Sequence, residues 1–256
     1  MWTLNDIIIL PITFLIMLGI VLVTKFLLKN RSDKIKRIPF IIITSVFLIL
    51  EVIKQIIWIW EPGGNYNLFW IPLHICSIFI YATPLALFTK QNSKVSNTFW
   101  ALSLIGALMV TVGLYIVPEV IMSACNTIFT PQANFLTYQT FIYHNLIVMF
   151  LMFWIALNPF QPSKKDLIKA SVIFSAFMAF CAVMAHALQT DFMRYLNFPI
   201  SLIDIVLEKA GYFLYDFLIW GMCTIAVFGS SLVIFYYLKI KERYKNKKQL
   251  TQSNSD

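Results

Sequence analysis

Charge is what this chain has least of: 12% of its 256 residues are Asp, Glu, Lys or Arg, while 59% are apolar. Soluble domains carry about twice that share of charge. A water-facing globular fold is excluded, and an all-α, polytopic membrane bundle remains. Cysteine is also scarce, with four residues. Cys76, Cys181 and Cys223 lie in apolar runs and only Cys125 falls in an expected loop, so no disulfide framework is present. Acidic residues are outnumbered 12 to 20, giving a formal net charge of +8. The basic residues collect in three loops and a tail, which signals orientation in a bilayer and no nucleic-acid partner.

What the chain does have is apolar runs long enough to cross about 30 Å of hydrocarbon as helices. Seven are expected, at about 5–28, 38–60, 68–88, 95–117, 135–157, 166–187 and 208–238. The first opens with Asp6 and lacks a small-residue cleavage site, so it is expected to stay as a span. Residues 1–241 form one transmembrane domain and 242–256 a basic, polar, solvated tail. Lys29, Arg31, Lys34, Lys36 and Arg37 follow the first run, Lys90 and Lys94 the third, and Lys164 and Lys165 the fifth. Lys239 to Lys248 continue the series after the seventh. The alternate loops hold almost no basic residues, so the N-terminus is expected outside and the C-terminus in the cytoplasm of a cell-membrane, multi-pass protein.

With that direction, a rise of about 1.5 Å per residue assigns depths. Cys76 falls roughly 12 Å below the outer surface, His74 about 9 Å, His144 about 12–14 Å, Glu51 about 13 Å, Lys54 about 9 Å and Asp216 about 8–12 Å. His186 falls near the outer end of the sixth run. These groups come from five runs and share the outer half of the bilayer. Isolated charges there are costly, so the clustering predicts a polar cavity open to the outer leaflet. Thr137, Thr140 and His144 share a helical face, as do Glu51, Lys54, Gln55 and Trp58. Ser171, Ser175, Ala179, Ala182 and His186 form a small-residue stripe that permits close helix approach.

The centre of this arrangement is Ile71-Pro72-Leu73-His74-Ile75-Cys76-Ser77, a polar interruption within an apolar run. A thiol attacks as the thiolate, and a neutral imidazole can accept its proton, so Cys76 and His144 suit a nucleophile and general base acting on an acyl ester. Thr137, Thr140, Ser77 and Lys54 are the candidate donors to an oxyanion. Plainer readings stand beside this one. Glu51 and Lys54 suit a buried docking pair, with Asp216 as a third member; His186 suits a bond to a loop; Cys181 and Cys223 suit packing.

The 71–77 run, the Glu51-x-x-Lys54 pair, Tyr143-His144 and the stretch Gln189-Thr190-Asp191-Phe192-Met193-Arg194-Tyr195-Leu196-Asn197-Phe198-Pro199 resemble the YwaF-like bacterial integral membrane family. That family is similar to the eukaryotic transmembrane protein 164 family of ether-phospholipid acyltransferases, whose proposed catalytic pair is a cysteine and a histidine. The resemblance implies Cys76 and His144 as that pair, a membrane phospholipid as substrate or ligand, and no cofactor. His74 has no counterpart role, and Arg194 departs from the pattern of the outer segment.

Other classes remain to be weighed. A retinal receptor needs a lysine in the last span, and residues 216–238 contain none. His74, Cys76, His144, His186 and Glu51 are metal-ligand types, yet no tight paired spacing supports zinc, and no metal is expected. A non-catalytic transporter or lipid-binding protein is the alternative, since the Glu51, Lys54 and Asp216 cluster also suits substrate or proton coupling. No internal repeat of the transporter kind is evident.

Overall fold

The computed structural model describes residues 4–60, 66–116, 128, 130, 133–196 and 201–253, and all of these side chains except 4–7, 194, 201–210, 245 and 248–253. Its helices are α1 (Leu4–Leu28), α2 (Asp33–Lys36), α3 (Ile38–Ile59), α4 (Ile78–Phe88), α5 (Lys94–Ile116), α6 (Phe135–Leu157), α7 (Lys164–Leu188) and α8 (Ser201–Ser253). Among the described residues there is no strand, as the composition predicts. Cys125 and the Asn197-Phe198-Pro199 end of the outer motif lie outside the described residues.

Local chemistry sets several helix ends. Asn134 and Thr137 form a reciprocal capping box at the start of α6, and Ser163 and Asp166 form another at the start of α7. Each satisfies backbone N–H groups that a helix start leaves without intrahelical partners. Asn158 and Gln189 end the same two helices in the left-handed conformation. In α8, Gly211 has φ +77° and divides the helix into two arms. The arm beyond it runs to Ser253, so the basic tail continues as helix.

Helix α5 is the hub, packing on α4, α6, α7 and α8. Gly106 permits this closeness: a Cβ there would meet Ile78 Cγ2 at 2.9 Å and Phe79 Cε2 at 3.2 Å. Around α5 the core is aromatic, with Phe40 edge-on to both Trp100 and Phe150, and Phe79 edge-on to Phe150 and Phe47. On the small-residue stripe of α7, Ser171 Oγ lies 2.5 Å from Ser231 Oγ, and Trp220 donates to the Ser175 carbonyl at 2.9 Å. By contrast, α1 leaves Ile12, Leu15, Ile16, Val23 and Phe26 exposed. A helix apolar on its open face belongs in lipid.

The expected count of seven full spans needs correction. Among the described residues six helical stretches are long and apolar enough to cross a membrane: Ile8–Leu28, Asp33–Ile59, Lys94–Ile116, Phe135–Leu157, Lys164–Leu188 and Gly211–Tyr244. The expected third span, 68–88, is helical only over its second half. Leu68–Trp70 and Ile75–Ser77 are single 3₁₀ turns separated by extended backbone, and the apolar helical stretch is Ile75–Phe88. Pro72 explains the break, because it has no N–H and forces Ile71 out of the helical region, to φ −58°, ψ 132°.

Candidate functional site

Breaking a helix at membrane depth leaves carbonyls without partners, and such backbone is tolerated only where protein satisfies it or water reaches it. Side chains supply the partners here. His74 Nε2 donates to the Phe69 carbonyl at 3.0 Å, Gln55 Nε2 to that of Trp70 at 3.0 Å, Tyr81 Oη to that of Pro72 at 3.1 Å, and Tyr143 Oη to that of Cys76 at 3.1 Å. Since a carbonyl only accepts, each of these side-chain atoms carries the hydrogen. The 69–76 backbone is thus held from α3, α4 and α6, and from within by His74. Stacking adds to this: Trp58 lies on Trp70 with centroids 5.0 Å apart, and His74 sits against Phe69 at 4.7 Å and Phe192 at 5.8 Å.

Next to this segment is a buried charge network. Glu51 Oε2 pairs with Lys54 Nζ at 2.7 Å, and Glu51 Oε1 accepts from Gln55 Nε2 at 2.6 Å. Tyr66 Oη in turn donates to Gln55 Oε1. Burial and the negative charge of Glu51 push the Tyr66 phenol up, while its bond to Gln55 works in the opposite direction. One helical turn of α3 therefore compensates a charge and holds the broken segment with the same residues.

Cys76 is half-buried, a free thiol, and within electrostatic range of Lys54, Glu51 and Tyr143. Its place in the 75–77 turn is fixed from the next residue, whose N–H donates to the His74 carbonyl at 2.9 Å. His144 is buried on α6, and its Nδ1 lies 2.8 Å from the Thr140 carbonyl. That contact places the proton on Nδ1 and leaves Nε2 of the neutral ring as the acceptor. Among the described residues no hydrogen bond joins Cys76 to His144. The adjacent Tyr143 is the α6 residue that reaches the cysteine, while His144 lies within electrostatic range of His74.

Asp216 does not extend the Glu51–Lys54 pair. Its Oδ2 lies 2.6 Å from His186 Nε2, and the Tyr212 ring stands edge-on to that imidazole at 5.1 Å. Lys54 has Glu51 three residues away on its own helix, so α8 supplies its carboxylate to α7 instead. The polar groups therefore form two clusters: Glu51, Lys54, Gln55, Cys76 and Tyr143 in one, His186 and Asp216 in the other. Asp216 Oδ1 and the Tyr195 hydroxyl are buried without a hydrogen-bond partner among the described residues. Thr140 contributes its carbonyl to His144, and its hydroxyl lies 3.5 Å from Gln139 Oε1.

Sequence reasoning did not single out Gln55, Tyr81 and Tyr143 as the holders of the broken segment. The signal available for them was indirect: a proline at membrane depth implies orphan carbonyls, and a long polar side chain at equal depth is the natural donor. Among the described residues no three His, Cys, Asp or Glu side chains come together as metal ligands would. The zinc reading thus lacks a donor set there.

The model of the TMEM164 family matches residues 1–237. No curated protein and no solved structure matches the chain.

Proposed function

This chain belongs to the TMEM164 family of membrane proteins, and on that premise we propose that it transfers or hydrolyses acyl chains of membrane phospholipid, with Cys76 as nucleophile and His144 as base. The observation that carries the reading is the contact of His144 Nδ1 with the Thr140 carbonyl at 2.8 Å. That Nδ1–H is committed to the Thr140 carbonyl, which leaves Nε2 ready to accept a proton at the helix level where Tyr143 meets Cys76. In the first half-reaction the Cys76 thiol gives its proton to His144 Nε2, and Sγ attacks the ester carbonyl carbon. The tetrahedral intermediate collapses with cleavage of the carbon–oxygen bond, and the departing alkoxide takes the proton from the imidazolium. The products are a lysophospholipid and an acyl thioester on Cys76. Water, or the hydroxyl of a second lysophospholipid, then gives up its proton to His144 and attacks the thioester, which returns the thiol.

Lys54 supports the step as the cation within electrostatic range of the thiol, suited to the negative charge that develops on sulfur and oxygen. His74 and Thr140 hold the segment and the base, and are positioning residues in this reading. The distribution of basic residues among the loops supports an orientation in which the Cys76 end of the bundle faces the outer leaflet, at the depth of lipid ester bonds or a little below. A transporter or lipid binder is the second reading, and the Glu51–Lys54 pair bears on it. Glu51 already engages both Lys54 and Gln55, which suits docking better than the exchange of partners that coupling requires.

Intact mass of the purified protein after incubation with phospholipid tests the proposal. The wild type gains the mass of one acyl chain, removable by hydroxylamine, and Cys76→Ala gains none. His144→Gln slows adduct formation by about 100-fold or more. An adduct that persists in Cys76→Ala, or unchanged lipid turnover in both variants, would refute it and leave the binder.

A further inference from the structure

At the opposite end of the bundle, a shallow open recess spanning about 200 Å³, adjoining solvent included, is lined by residues that include Arg37, Gln91, Ser96, Asn97, Trp100 and Phe160. We propose that it binds the phosphate group of an anionic phospholipid whose headgroup carries a hydroxyl. Arg37 is 9% exposed, which is unusual for a guanidinium, and no carboxylate pairs with it among the described residues. Its one hydrogen bond there runs from Nη2 to the Ala86 carbonyl at 3.3 Å, and one of its faces lies over the Trp100 ring at 5.8 Å.

Capping the end of α4 does not account for this residue. Ser96 Oγ already donates to the same Ala86 carbonyl at 2.7 Å, a shorter contact from a neutral group. A guanidinium has five N–H donors, and one bond to a carbonyl leaves most of them without a partner in a site where an unpaired charge is costly. The planar fork is matched by a phosphate, which compensates the charge and takes several donors at once.

A second observation is independent of the first. Asn97 is a lining residue, and its Oδ1 is buried and has no hydrogen-bond partner among the described residues. It requires a donor, which a bare phosphate diester lacks and a glycerol headgroup supplies. The surroundings favour an anion as well, since Lys34, Lys90, Lys94, Lys164 and Lys165 lie in the connections and helix starts at this end. Of the acids there, Asp33 pairs with Lys36 and Asp166 is taken up by Ser163. Lysines at the membrane surface concentrate anionic lipid, and the recess gives one such lipid a fixed seat.

The full chain in phosphatidylcholine nanodiscs, with a rising share of dioleoylphosphatidylglycerol, tests this through thermal unfolding. The wild type should rise by about 5 °C as the site fills, and inorganic phosphate added to pure phosphatidylcholine discs should not move it. Arg37→Gln and Asn97→Leu should both lose the rise, while Lys239→Gln keeps it. Asn97→Leu leaves every charge in place and decides alone if the arginine variant does not fold. Rises equal to the wild type in both variants would overturn the site. An equal rise from inorganic phosphate would overturn the lipid as its ligand and leave a free-ion site.

Discussion

Replacing Tyr143 by Phe removes one oxygen atom and, with it, the hydrogen bond that holds the Cys76 carbonyl from α6. The ring remains free to pack on Phe47, whose centroid is 4.8 Å away, so little volume is lost and the effect isolates the hydroxyl. The Cys76 carbonyl sits in a 3₁₀ turn, where its backbone contact is the Ile78 N–H shared with the Ile75 carbonyl, a cramped geometry that does not replace the phenol. Leaving such a group unsatisfied costs about 1–2 kcal/mol, which raises the open population of the segment by about 5- to 30-fold. Cys76 is the built-in reporter, since the thiol that opening exposes can be alkylated. Maleimide labelling, followed at the Cys76 peptide by mass spectrometry under conditions where opening and closing are fast, should accelerate by that factor in Tyr143→Phe. Labelling at Cys181, buried in α7, should not change. Equal rates at Cys76 in the two proteins would refute the idea that the phenol holds the segment, and a matching acceleration at Cys181 would show general loosening instead.

Glu51→Gln alone strands a buried ammonium and should destabilise the protein by about 3–5 kcal/mol, whereas Glu51→Leu with Lys54→Leu should lose much less; thermal unfolding in detergent separates the two, and equal losses would refute a buried, mutually compensated pair. Gly106→Ala gains about 1 kcal/mol of helix propensity and loses about 1–3 kcal/mol by driving a Cβ into Ile78 Cγ2. A double-mutant cycle with Ile78→Ala should therefore show favourable coupling of at least about 0.5 kcal/mol, and strict additivity would mean that α4 and α5 are not in close contact there.

The parts of the fold legible in the sequence are those set by local composition. Apolar runs announced α1, α3, α5, α6, α7 and the long arm of α8, because each is one continuous helix whose backbone satisfies itself. The 68–88 run misled for the same reason. Leu68, Phe69, Trp70, Ile71 and Leu73 are as apolar as any helix, so average hydropathy conceals that Pro72 stops the ladder. The compensating donors at Gln55, Tyr81 and Tyr143 lie 15, 9 and 67 residues from the carbonyls they serve. Spacings of that kind are created by tertiary packing and carry no periodicity. Asp216 shows a similar limit: its partner is settled by tertiary packing, since Lys54 has a carboxylate three residues away on its own helix. Arg37 counted in the sequence only as one more loop charge, and nothing there distinguishes a buried guanidinium from its solvated neighbours.

The four side-chain bonds to the 69–76 carbonyls have a mechanical consequence. A helix carries its own backbone bonds with it when it shifts, but this stretch borrows its bonds from its neighbours. Hydrogen bonds weaken steeply beyond about 3.5 Å, so a relative slip of α3 against α6 by less than an ångström loosens the grip on one end of the stretch while the other holds. Cys76 therefore registers the spacing between helices that it does not belong to. Anything that parts α3 from α6 moves the thiol before touching it.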